Sequence, residues 1–181
     1  MIGKLRWGVD GLLDRIRPSR IRPTAPPETF VDGEGREVRV RPYREEDFAG
    51  LVEMYHEFDP ELRAQGTPPV GTENIEAWID DLLDGVNVVA IHDGQPVGHV
   101  SFVPDGIDRH ELAIFVHQEY QHAGVGSRLM ANGLGYAREQ GVRYVWLTVE
   151  SRNRGIQRFY SHAGFSTVSP MGAAHRMSRT L

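Results

Sequence analysis

The chain has 181 residues and a formal net charge of −5, with 40% hydrophobic residues, 25% charged residues and no cysteine. This length and composition are typical of one compact domain, and no apolar run reaches the roughly 20 residues of a membrane-spanning helix. The lack of cysteine excludes disulfides, thiolate metal ligands and a covalent acyl-cysteine intermediate. We therefore expect a soluble, cytoplasmic protein.

The negative charge lies in the body of the chain. Residues 1–22 contain six Lys or Arg and two Asp, so residues 23–181 carry a net charge of −9. A nucleic-acid-binding protein needs a basic face. The acidic body therefore argues against a nucleic-acid partner and favours a cationic or amine-bearing one.

Residues 1–36 are predicted to stand apart from the main domain. Residues 3–17 place apolar side chains at helical spacing, which predicts a short amphipathic helix. This helix either docks on a membrane surface or a partner, or packs on its own domain; we favour the second because Asp10 and Asp14 dilute its positive charge. Residues 18–35, with four prolines and two glycines, are predicted to be a linker.

Residues 37–181 are predicted to begin with a strand and two helices. The strand is indicated by alternation over residues 38–41 and ends at Pro42. A first helix is expected to begin at the acidic residues 45–47, and a second to cover residues 75–83. The irregular connection at residues 59–71 is long enough to carry substrate contacts.

The rest of the chain predicts a sheet with one crossover. Strands at residues 88–91, 97–103 and 112–116, separated by turns at 93–94 and 104–108, form an antiparallel meander. A helix over residues 125–139 then leads to a strand at 142–149, which implies parallel pairing. A last helix at 156–163 and a final edge strand at 174–181 complete a mixed α/β domain.

A candidate anion site lies between the strand that ends at Val116 and the helix that follows. In its sequence, HQEYQHAGVG, Gly124 and Gly126 let the backbone approach a ligand closely, and the amides at the helix N-terminus suit a phosphate. An ordinary turn is the alternative interpretation. The chain has no Gly-Lys-Ser/Thr here, as a P-loop requires. Leu129 stands where a dinucleotide-binding fingerprint has its third glycine.

At these residues the chain resembles the GNAT superfamily of N-acetyltransferases. The family motif Gln/Arg-x-x-Gly-x-Gly/Ala is matched by Gln121, Gly124 and Gly126. A second motif, in family order and spacing, is matched by Asn153, Tyr160, Gly164 and Phe165. The resemblance extends more loosely over residues 37–181.

The resemblance implies a GNAT fold, with a mostly antiparallel sheet of six to seven strands and about four helices, and acetyl-CoA as acetyl donor. Backbone groups of Ile114, Phe115 and Val116 would pair with the pantetheine arm and the acetyl carbonyl. The coenzyme pyrophosphate would be held by the amides of Gln121, His122, Ala123, Gly124, Val125, Gly126 and Ser127.

The resemblance also implies roles for two side chains of the second motif. Asn153 would bind the pantetheine, and Tyr160 would give a proton to the departing thiolate. The alternative roles are a helix N-cap for Asn153 and a core aromatic residue for Tyr160.

The general base is where the sequence departs from the family. Many members have Glu on the acetyl-binding strand, where His110 and Glu111 point to opposite faces here. Others have Glu five residues before the motif Asn, where this chain has Thr148, with Glu150 two residues on. We rank Glu111 first, then His110, then Glu150; each could instead be a surface residue, and a water chain could replace them.

A metal is not expected. His110, His117 and His122 match no known ligand spacing, and the chain has no cysteine.

The predicted function is direct transfer of acetyl from acetyl-CoA to a primary amine. Residues 58–69 loosely resemble bacterial and archaeal protein lysine acetyltransferases, which places a protein lysine slightly ahead of a polyamine or an antibiotic. The alternative from another class is a non-catalytic acyl-CoA sensor. The sequence leaves a homodimer open.

Overall fold

A computed structural model describes residues 21–63, 67–106 and 108–181, so the predicted N-terminal helix lies outside the described residues. The described residues form one eight-stranded sheet and four α-helices, none of them long and apolar enough to cross a bilayer. The strands are β1 (Glu28–Val31), β2 (Glu37–Pro42), β3 (Val86–His92), β4 (Gln95–Pro104), β5 (His110–Val116), β6 (Tyr144–Glu150), β7 (Ser166–Met171) and β8 (Ala174–Thr180). The helices are α1 (Phe48–His56), α2 (Thr72–Leu83), α3 (Val125–Glu139) and α4 (Arg154–His162).

The strand order in the sheet is β1-β2-β3-β4-β5-β6-β8-β7. Every neighbouring pair is antiparallel except β5 and β6, which are parallel and joined through α3. The predicted mixed, mostly antiparallel sheet with one crossover is confirmed, with one or two more strands than expected.

Two parts of the sheet differ from the prediction. Glu28–Val31, within the predicted linker, is a strand paired with β2, because Phe30 packs on the core and Asp32-Gly33 begins the turn of a hairpin. The final strand was expected at an edge, but β8 lies between β6 and β7. It is internal because it pairs with β6 along its whole length, and β7 folds back on its outer side.

The sheet has two covered faces. The α3 face carries the larger core, which includes Val100, Leu112 and Leu134, and the α1–α2 face carries a smaller core around Tyr55 and Ile79. A fully buried aliphatic side chain contributes roughly 1.5–3 kcal/mol. Because side chains alternate along a strand, β5 contributes to both cores and lies at the centre of the domain.

A buried ion pair fastens α1 to β2. The guanidinium of Arg41 donates to both carboxylate oxygens of Asp47 at 2.7 Å, and the Arg44 amide donates to the same carboxylate at 2.8 Å. Glu45–Asp47 therefore forms a short 3-10 turn, and the helix predicted to start there begins at Phe48.

Candidate active site

The sheet splits between its two parallel strands. β5 and β6 pair only at His110 with Val145 and at Glu111 with Trp146. Beyond this point β5 stays paired with β4 as far as Val116, and β6 stays paired with β8. Residues 112–116 and 147–150 therefore border a gap, which we call the cleft. Backbone groups on the β5 side of the cleft have no partner strand, so they are available to an extended ligand.

The loop from β5 to α3 is tied to the end of β5. The His117 amide donates to the carbonyl of Val97 at 2.9 Å, and the Gln121 side-chain amide donates to the carbonyl of Val116 at 2.9 Å. The chain then turns through left-handed conformations at His122, with φ 61°, and Gly124, with φ 93°. A Cβ at Gly124 would meet no atom within 4 Å, so glycine is needed there for its conformation and not for space.

The candidate anion site lies at the start of α3, and we call it the cradle. Its first-turn amides, on Val125, Gly126 and Ser127, have no intrahelical acceptor, and the positive end of the helix dipole lies there. A Cβ at Gly126 would lie 3.7 Å from the Val116 side chain and 4.0 Å from the Phe159 ring. The residues from Gln121 to Ser127 thus come together where the cleft opens, and their arrangement suits an anion.

Asn153 caps α4, which follows β6. Its side-chain oxygen accepts a hydrogen bond from the Ile156 amide at 3.1 Å, so the N-cap role named as the alternative is present. The side chain is exposed.

Tyr160 lies on α4 among aromatic rings. Its ring packs edge-on against Phe159 at 5.4 Å and Phe165 at 5.9 Å between centroids. Burial raises the pKa of Tyr160 to about 12. The phenol is therefore protonated at neutral pH, which a proton donor requires.

Glu111 and His110 point to opposite faces of β5, as their adjacency predicts. Glu111 shares the α1–α2 face with Trp146, whereas His110 shares the α3 face with the buried Val145. Burial raises the pKa of Glu111, Arg176 lowers it, and Asp105 adds to the increase. A carboxylate with a raised pKa at the closed end of the cleft is a suitable proton acceptor.

Glu150 lies apart from this position. It is four residues beyond Trp146 on β6, a distance of about 13 Å along a strand. Its carboxylate is 3.2 Å from the Arg152 guanidinium. The structure does not bring Glu150 and Glu111 together.

Three further residues surround Glu111 that the sequence analysis did not identify. The Trp146 indole donates to the Asp105 carboxylate at 2.9 Å, and the Arg176 guanidinium lies 3.8 Å from the centroid of the Trp146 ring. Arg176 reaches Trp146 from β8, where it pairs with Thr148. No local pattern could have revealed this contact, because it depends on the register of β6 and β8.

The histidines do not converge. His117 contacts Gln118 and Glu57 at the end of β5, while His110 lies at its start. Within residues 21–63, 67–106 and 108–181, no three potential metal-ligating side chains lie together.

Comparison with known sequences identifies relatives. Residues 51–165 match the family model of the acetyltransferase (GNAT) family. The chain is 31% identical over 139 residues to a mycothiol acetyltransferase of Propionibacterium freudenreichii, covering 73% of this chain and 44% of that protein. It is 31% identical over 112 residues to an uncharacterized N-acetyltransferase of Mycobacterium bovis, covering 54% and 71%. The chain thus spans less than half the length of the mycothiol acetyltransferase.

Solved structures share the fold. The GNAT domain of S. lividans PAT superposes with a TM-score of 0.72 at 22% identity, covering 86% of this chain and 97% of that domain. The paia N-acetyltransferase of Thermoplasma acidophilum in complex with coenzyme A has a TM-score of 0.61 at 19% identity, covering 80% and 99%.

Proposed function

Because this chain belongs to the acetyltransferase (GNAT) family, we propose that it transfers the acetyl group of acetyl-CoA directly to a primary amine. The proposal is carried by one observation: the cleft between β5 and β6 opens at the loop where Gly124 exposes the first amides of α3. A donor with a pyrophosphate at one end and an extended arm leading to a thioester matches this combination.

In this proposal the main chain binds the donor. The amides from Gln121 to Ser127 would hold the pyrophosphate, and backbone groups of Ile114, Phe115 and Val116 would pair with the pantetheine arm and the acetyl carbonyl. The exposed amide of Asn153 would bind the pantetheine while its oxygen caps α4. A strand amide facing the acetyl oxygen would stabilise the tetrahedral oxyanion, a contribution of about 3–4 kcal/mol per donor in other acyl-transfer enzymes.

The acceptor amine must lose a proton before it attacks. A primary amine with a pKa of about 10.4 is mostly protonated at neutral pH. Glu111 would accept this proton from the α1–α2 face, opposite the face on which α3 packs. Glu111 is exposed on this face, and the partial desolvation of its carboxylate raises its pKa, which favours that role.

The departing thiolate must gain a proton. As the nitrogen bonds to the acetyl carbon and the carbon–sulfur bond breaks, Tyr160 would donate its phenolic proton to sulfur and recover one from solvent. Because a thiol has a pKa of about 8.5, the thiolate is a tolerable leaving group without this help. The presence of Tyr160 at the motif position favours an enzyme over an acyl-CoA sensor, because a binding protein does not need a proton donor beside the sulfur.

The choice among a protein lysine, a polyamine and an antibiotic stays a prediction from the sequence. The relative named mycothiol acetyltransferase adds a small-molecule acceptor to the amines that need testing.

Thiol release from acetyl-CoA tests the proposal, measured with a panel of small amines and lysine-containing peptides and compared with the Tyr160→Phe variant. We expect acceptor-dependent thiol release that is slower in the variant. Binding of acetyl-CoA without thiol release from any acceptor would favour the sensor.

A further inference from the structure

Arg176 is held beside Glu111 by an aromatic platform. The Trp146 ring occupies the α1–α2 face of β6, in the last pair that β6 forms with β5 before the cleft opens. The hydrogen bond from its indole to Asp105 fixes the orientation of the ring. Arg176 lies over this ring at 3.8 Å. Glu111, Trp146 and Arg176 therefore lie on three neighbouring strands, with Glu111 opposite Trp146 and Arg176 diagonal to it, because the partner of Arg176 on β6 is Thr148.

The side-chain donors of Arg176 have no partner within the part of the chain that the structure describes. A guanidinium stacked on an aromatic face keeps its N–H groups pointing outward in its own plane. Arg36 and Arg41 each pair closely with an aspartate, but among the described residues Arg176 forms no ion pair or side-chain hydrogen bond. It is half-buried, so its donors are held in place over the Trp146 ring, beside the closed end of the cleft.

We propose that Arg176 binds a carboxylate of the acceptor, so that the acceptor is a primary amine with a carboxylate a few bonds away. This inference rests on the proposed acetyl transfer, because it requires the amine to lie at Glu111. A planar guanidinium pairs with a carboxylate through two parallel hydrogen bonds. β5 and β8 are two strand spacings apart, about 10 Å. The side chains of Glu111 and Arg176, on the strands either side of Trp146, can therefore hold the two ends of one small amino acid.

Matched acceptors test this inference. Glycine, β-alanine and 4-aminobutyrate, each paired with its own amide, would be compared by thiol release from acetyl-CoA at pH 8 in the wild type and in Arg176→Gln. We expect at least one acid to exceed its amide about tenfold in kcat/KM, and this preference to be lost in Arg176→Gln with the KM for acetyl-CoA unchanged. Arg39→Gln, which removes an exposed arginine from β2, is the matched control and should retain the preference.

Equal rates for every acid and its amide in the wild type would overturn the inference. A preference that persists in Arg176→Gln would do so as well.

A binding measurement separates this inference from the proposed reaction. The indole N–H resonance of Trp146, assigned with Trp146→Phe, would be followed in nitrogen–proton NMR spectra while 4-aminobutyrate or its amide is added to the acetyl-CoA complex. We expect the acid alone to shift this resonance, and the shift to disappear in Arg176→Gln. If no amine releases thiol, the transfer proposal fails, yet this titration still decides whether the carboxylate site exists. The same shift with acid and amide, or no shift with either, would overturn it.

Discussion

The guanidinium of Arg36 lies 4.0 Å from the centroid of the Tyr120 ring. The same guanidinium donates to the carbonyl of Glu119 at 2.9 Å and to the Asp32 carboxylate at 2.7 Å. The neighbouring Gly33 amide donates to the carbonyl of Ala123 at 2.9 Å. The β1–β2 hairpin therefore forms hydrogen bonds with the loop that leads into α3 at two points. The position of the cradle depends on these contacts.

Replacing Arg36 should weaken the binding of coenzyme A. Arg36→Ala removes the hydrogen bond to Glu119 and the contact with Tyr120, and we expect the Kd for coenzyme A to rise about tenfold, equivalent to about 1.4 kcal/mol. Calorimetric titration measures this, with Arg39→Ala as the matched control on the same hairpin. S-acetylpantetheine, which lacks the pyrophosphate, should be used equally well by Arg36→Ala and the wild type. An equal loss for both donors would mean that Arg36 only supports the fold.

Gly124 and Gly141 stand just outside the two ends of α3, and they allow a matched test of the cradle. Both have a positive φ, 93° and 86°, and a Cβ at either would meet no atom within 4 Å. Glutamate at either position should therefore cost about 1 kcal/mol of stability or more. Only Gly124→Glu also places a negative charge at the helix N-terminus, so we expect it to weaken coenzyme A binding at least about a hundredfold while Gly141→Glu binds normally. Unchanged affinity in Gly124→Glu would remove the cradle assignment.

Much of the structure from α3 to α4 could be predicted from the local sequence. The bounds of α3 were predicted correctly because a glycine with positive φ flanks it on each side. The spacing from Gln121 to Gly126 and from Asn153 to Phe165 is enough to indicate the family. These signals are local, and a single sequence carries them in full.

The features that the sequence does not predict depend on pairing between distant segments. The sequence predicts a linker at β1 because the prolines before it outweigh a four-residue strand, although Asp32-Gly33 is a hairpin signal. The position of β8 inside the sheet follows from its pairing with β6, which alternation along β8 cannot reveal. The approach of Arg176 to Trp146 depends on that same pairing.

Tyr160→Phe should slow the reaction without abolishing it. A positioned general acid typically contributes about 10²–10⁴ in rate. Because the thiolate also leaves without one, we expect a smaller loss of kcat, roughly tenfold and at most about a hundredfold. The KM for acetyl-CoA and the melting temperature should hardly change, because the ring and its contacts with Phe159 and Phe165 remain. Steady-state kinetics measure this, with Tyr136→Phe on α3 as control. An unchanged kcat, with product release shown not to limit the rate, would exclude Tyr160 as the donor.

The pH dependence should report Glu111 and its neighbours. The raised pKa of Glu111 places the acid limb of the kcat/KM profile above the ordinary range of a carboxylate. As pH falls through this raised pKa, Glu111 is protonated and activity is lost. Arg176 lowers this pKa and Asp105 raises it, so Arg176→Gln should move the limb to higher pH and Asp105→Asn to lower pH. In Glu111→Gln the limb should disappear and the rate should fall strongly. If the acid limb keeps its wild-type position in both Arg176→Gln and Asp105→Asn, another residue is the base.

A buried histidine should make the fold sensitive to acid. His99 lies between Tyr55 and Asn87, 2.8 Å from the Tyr55 hydroxyl at Nδ1 and 2.9 Å from the Asn87 side-chain oxygen at Nε2. Because that oxygen only accepts, Nε2 carries the proton and the Tyr55 hydroxyl donates to Nδ1. Burial lowers the pKa of His99 from an ordinary 6.5 to about 4.

Above pH 6.5 neither the folded nor the unfolded imidazole is protonated, and the network contributes fully to stability. As pH falls from 6.5 to about 4 only the unfolded state binds the proton, so the free energy of unfolding should decrease by about 3 kcal/mol from this group and then level off. Urea unfolding at several pH values measures the slope. His99→Gln should be less stable at pH 7 but lose stability less steeply over this window, whereas His56→Gln, at an exposed position on α1, should keep the wild-type slope. Equal slopes in the wild type and His99→Gln would mean that the imidazole is not held neutral by the fold.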